Sequence, residues 1–147
     1  MPHPLRIWLR RALGALLLTA AAAAPQASRF FIHHYTVQEG LAQDQPVAIH
    51  QDADGYIWFG TLGGLSRYDG SAFTTYSVTD GLPSPTVMAI HSDRQGRLWV
   101  GTPAGAAVRS GSRFTAHNFR TLQPAPSVRS IAELSDGTLY FATNHGL

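Results

Sequence analysis

Asp52-Ala53-Asp54-Gly55 opens like a calcium loop, in which alternate carboxylates converge on a hard cation. Such a loop closes on a glutamate about twelve residues in, and Gly63 stands there instead. The segment therefore reads as a hairpin turn. His50 and His91 sit 41 residues apart in matching contexts, which predicts one structural or rim position used twice rather than two ligands of one metal. His33 and His34 adjoin, and on a strand they would point to opposite faces. Ser71 and Ser84 lie in turn-like stretches without the Gly-x-Ser-x-Gly setting that activates a hydroxyl. Neither a phosphate-cradling glycine loop nor a His-Glu-x-x-His pair occurs, and zero cysteines exclude thiolate chemistry, disulfides and cysteine metal sites. The expectation is a segment with no catalytic, cofactor-binding or metal residue and no cofactor.

The matching histidines belong to a larger pattern. Gly40-Leu41 returns as Gly81-Leu82, Ala48-Ile49-His50 as Ala89-Ile90-His91, Asp52 as Asp93, Trp58 as Trp99 and Gly60-Thr61 as Gly101-Thr102. The two copies agree at 17 of 41 positions without a gap. A weaker third copy keeps Ile131, Gly137, Leu139, Thr143 and Gly146 in register, with Tyr140 where the tryptophans stood. A fixed period of roughly 40–50 residues means one supersecondary unit repeated.

Inside the repeat the runs are short and β-rich, at residues 47–51, 56–61, 65–68 and 72–76, with glycine-bearing turns between them. Asp54-Gly55, Gly63-Gly64 and Asp69-Gly70 suit reversals that need a positive φ. Four short strands per repeat make a β-propeller blade, so the predicted fold is all-β, with four-stranded antiparallel blades in an incomplete ring. Trp58, Trp99, Phe59 and Phe73 could stack on sugars if exposed, but apolar neighbours and recurrence predict burial, with the tryptophans wedged between blades.

These phrases carry a resemblance. Ile-His-Gln-Asp-Ala-Asp-Gly-Tyr-Ile-Trp-Phe-Gly-Thr at residues 49–61 and Gly-Gly-Leu-Ser-Arg-Tyr-Asp-Gly at 63–70 resemble the two-component-regulator propeller repeat. The second copy departs after Thr102, and the third lacks the Gly-Leu opening and the tryptophan. The resemblance covers roughly residues 29–147. It implies an extracytoplasmic sensor propeller of the kind found in hybrid two-component histidine kinases and GGDEF diguanylate cyclases, with a membrane span and an output module after it.

Arg6, Arg10 and Arg11 precede an apolar run at 12–24 that closes in alanines, the pattern of a secretory signal peptide, expected over 1–27. Without those three arginines, eight basic groups face nine acidic ones, so neither nucleic acid nor an anionic membrane is an expected partner. The remainder, 28–147, is expected to hold a closing strand near 30–36, blade one near 47–76, blade two near 88–117 and the start of blade three near 128–147. A ring needs roughly 4–8 blades, which predicts an N-terminal fragment of a larger propeller.

Two functions fit. One is the periplasmic ligand-sensing propeller of a bacterial transmembrane signalling protein, recognising a small molecule or glycan, partnered by the rest of the propeller and a membrane-spanning output module, and homodimeric in the full-length protein. The alternative is a secreted propeller enzyme, such as a lyase or glycan-cleaving enzyme, or a non-catalytic binding scaffold. The shared residues build the blade, so ligand recognition is expected in the variable segments 42–46, 83–86 and 123–127, which lead into each innermost strand.

Overall fold

The computed structural model describes residues 32–117, 119 and 124–146. Two units make up the chain, Met1–His33 and His34–Leu147. Of the first, only Ile32 and His33 are described, and both are exposed; the expected signal peptide lies outside the described residues. The second unit is built of strands β1 (Pro46–Gln51), β2 (Ile57–Thr61), β3 (Leu65–Tyr68) and β4 (Phe73–Tyr76), then β5 (Ala89–Ser92), β6 (Leu98–Thr102), β7 (Gly105–Ser110) and β8 (Arg113–Ala116), and finally β9 (Val128–Glu133) and β10 (Leu139–Thr143). Each group of four forms an antiparallel sheet in chain order, and β9 pairs with β10. These are propeller blades, and the sheets do not close into a ring.

Within each blade, local chemistry sets the reversals. Asp52 Oδ1 accepts the backbone N–H groups of Asp54 and Tyr56, and Asp93 Oδ1 those of Gln95 and Arg97. Only glycine takes a positive φ in these turns, Gly55 at 88° and Gly96 at 75°, so the aspartate before Gly55 supplies an ordinary turn residue and not a second left-handed one. Between blades, Ser77 caps a short 3-10 turn (Val78–Asp80) in a reciprocal capping box with Asp80. Thr36 and Glu39 do the same one period earlier.

Trp58, Leu65 and Tyr76 on one face of blade one join Leu98, Val100, Ala107 and Phe114 of blade two in a single buried cluster. Gly60 and Gly101 permit the close approach of the next inner strand: a Cβ at Gly60 would lie 2.7 Å from the Val87 carbonyl oxygen, and one at Gly101 2.8 Å from that of Val128. Tyr76 meets Phe114 edge to face at 5.5 Å, and Tyr35 meets Phe73 the same way at 5.4 Å. Tyr35 thus stands to blade one as Tyr76 stands to blade two. Residues 32–36, in the stretch expected to hold a closing strand, lie outside the named strands; residues 30 and 31 lie outside the described residues.

Candidate functional site

Both tryptophans are buried, Trp58 fully and Trp99 at 5% exposure, so they are packing residues and not sugar platforms. Their indole N–H groups are satisfied within the blade: Trp58 Nε1 donates to Asp52 Oδ2 at 2.7 Å and Trp99 Nε1 to Asp93 Oδ2 at 2.8 Å. One carboxylate therefore holds the hairpin with one oxygen and the ring with the other. In the third copy Leu134 replaces the aspartate and Tyr140 the tryptophan, so acceptor and donor are lost together. Burial pushes the Asp93 carboxyl up, but the Trp99 indole and the Arg97 backbone and side-chain N–H groups outweigh it and hold the pKa below the ordinary carboxylate value.

The histidines lie on the inner strands, facing the next blade. His50 Nε2 is 2.8 Å from Ser92 Oγ, and its ring centroid is 6.4 Å from that of His91. Burial and the neighbouring His91 lower the His50 pKa, against a smaller opposing pull from Asp52. His91 Nε2 faces Glu133 Oε2 at 3.8 Å. Each histidine thus looks at the residue 42 positions on, a relation across the seam that the repeat register alone does not display. His33 and His34 are exposed and lie in no strand. Among the described residues no three His, Asp or Glu side chains converge on a point that could hold a metal ion.

Seam one, between blades one and two, contains a cavity of about 360 Å³ at the hairpin end of the inner strands. Asp52, Ala53 and Asp54 line it from blade one, and Ser92, Asp93, Arg97 and Arg109 are among its walls from blade two. Arg109 lies over the Trp58 ring, 5.2 Å from its centroid, and its buried Nε has no hydrogen-bond partner. Reasoning from sequence missed Arg109, because a partner 51 residues from Trp58 is set by blade packing and leaves no local mark.

The variable segments sit at the other end of the inner strands and are tied down. Gln43 Oε1 accepts Leu62 N–H, Asp44 accepts Val37 N–H, and Thr86 Oγ1 donates to the Leu62 carbonyl across seam one. Ser127 N–H donates to Asn144 Oδ1; Gln123 lies outside the described residues. No cavity described here is lined by residues 83–86 or 124–127, and of 42–46 only Pro46 borders one, an open groove with Val47, Ile49 and Phe59.

The model of the two component regulator propeller matches residues 40–63 and 81–104. Each match runs from the Gly-Leu after the 3-10 turn through the inner strand, the aspartate hairpin and the tryptophan strand to the Thr turn. A curated protein similar to the chain is Histidine kinase P4 of Formosa agariphila, 37% identical over 57 residues. That alignment takes in 39% of this chain and spans 4% of the relative. Residues 40–63 and 81–104 are thus similar to repeats of the two component regulator propeller, and each match takes in the first two strands of one of the two four-stranded sheets.

Proposed function

We propose that the chain is part of the ligand-sensing propeller of a bacterial transmembrane signalling protein, exported to the periplasmic side of the inner membrane, with a histidine kinase or diguanylate cyclase as output. The observation that carries this reading is the double match to the regulator propeller repeat, supported by similarity to a histidine kinase. Side chains with chemical capacity are engaged in holding the blades. Asp52 and Asp93 are spent on hairpins and indoles, and His50 is spent on Ser92. No helix among the described residues is long and apolar enough to cross a membrane, so the reading assigns the span to another part of the protein. A fusion of alkaline phosphatase after residue 147 tests the location: activity outside the cytoplasm is expected, and a cytoplasmic, inactive fusion overturns it. Sequence downstream of the propeller tests the output: a membrane span followed by a kinase or cyclase region is expected, and a stop codon soon after the propeller overturns the sensor reading.

A further inference from the structure

Most charged groups lining the seam-one cavity have partners within their own blade. Asp52 uses Oδ1 on the Asp54 and Tyr56 backbone and Oδ2 on Trp58. Asp93 uses Oδ1 on the Gln95 and Arg97 backbone and Oδ2 on Trp99 and on Arg97 Nε at 2.6 Å. Two side chains remain, one of each sign. Arg109 has no hydrogen bond or ion pair among the described residues, and neither has the Asp54 carboxylate. They border one cavity without pairing with each other.

The side chains at this rim change at the next seam. One period on, Arg94 stands where Ala53 stands and Glu133 where Ser92 stands. There Arg94 N–H donates to Glu133 Oε2 at 2.9 Å, and the Arg94 guanidinium reaches the Ser135 carbonyl across seam two, between blade two and the β9–β10 pair. Small residues at both equivalent positions leave seam one open, and a Cβ built at Gly96 or Gly111 on its wall meets nothing within 4 Å.

From this we infer that the seam-one cavity is a binding site for a small zwitterion of the α-amino acid class. Its carboxylate pairs with Arg109 and its ammonium with Asp54, and its side chain points along Leu98 and the wall glycines. A guanidinium already stacked on an indole is pre-ordered to take a carboxylate in bidentate fashion. Bridging two unpaired opposite charges satisfies both without adding net charge to the seam. This rests on the sensing reading and adds a ligand class and a place to it, at the opposite end of the inner strand from the variable segments.

The test is titration of the ¹⁵N-labelled chain, following the Trp58 and Trp99 indole resonances. Three probes share one branched skeleton: L-leucine with both charges, 4-methylpentanoate without the ammonium and 3-methylbutylamine without the carboxylate. L-leucine is expected to shift Trp58 saturably and leave Trp99 in place, with each single-charge probe at least about tenfold weaker. Arg109→Gln and Asp54→Asn should each weaken L-leucine by a similar factor, an unmoved Trp99 resonance showing that the blades remain folded. Equal responses to the three probes, no saturable Trp58 shift, or undiminished binding in both variants overturns the site. Binding that leaves the output of the full-length protein unchanged counts against sensing and upholds the site; absent binding overturns the site and leaves the sensing reading to its own test.

Discussion

Seam one and seam two are built on one plan and finished differently. In both, a tryptophan latched to an aspartate packs toward the following blade, and a glycine admits the next inner strand. Trp58 meets Tyr76 at 5.6 Å, and Trp99 meets His117 and Phe141, each at 5.5 Å. Their polar rims diverge. Seam two is stapled by Arg94 and Glu133, with His91 facing the same carboxylate; seam one carries Ala53 and Ser92 there and keeps a cavity beneath Arg109. Repeats preserve the packing that makes a blade, and individuality goes to the rim, where a side chain can change without opening the core.

The largest effect expected is on the shared part. Trp58→Ala should lower the unfolding free energy by about 3–5 kcal/mol, measured by denaturant titration, because the ring is fully buried. A loss under about 1 kcal/mol would mean that seam one is not held by the wedge. Next comes the latch: Asp93→Asn should cost about 1–3 kcal/mol, and more than Asp52→Asn, since Asp93 also binds Arg97. Equal losses would place no weight on the Arg97 contact. Smaller again is the staple. Glu133→Ala should cost about 1 kcal/mol and speed hydrogen exchange at the Arg94 amide while leaving seam one unaffected; exchange rising equally in both seams would break the distinction.

The smallest effect is in pH. The folded-state pKa of His50 is lowered, so the unfolded chain binds the proton more readily. Stability from this residue is full above its unfolded pKa of about 6.5 and falls as pH drops through that value toward the lower folded one. His50→Gln should flatten the melting temperature over that window, and an unchanged slope would show that the His50 seam is not a titrating contact.

Most of the blade was legible in the sequence. Strand positions read from the 41-residue register fall within a residue of β1–β4, and Trp58 and Trp99 are buried as their neighbours implied. Periodicity reports what each copy does for itself. Contacts across the seams escape it, because they join residues such as Trp58 and Arg109 or His91 and Glu133 whose separation reflects blade packing. A usable signal was nevertheless present: Ala53 against Arg94 and Ser92 against Glu133 are differences between copies that only the geometry shows to be partners. Register alone suggests a strand at residues 30–36, and Tyr35 keeps the register through its contact with Phe73, while described residues 32–36 lie outside the named strands.

The central claim, that the rim and not the core sets what each seam does, is tested most directly by making seam one into seam two. Ala53→Arg with Ser92→Glu introduces the staple pair at the equivalent positions, and the measurement is the melting temperature with and without L-leucine. The account predicts that the double variant melts at or above the wild-type temperature and loses the L-leucine-dependent rise that the wild type shows. A variant that keeps that rise in full, or melts well below the wild type, would contradict it.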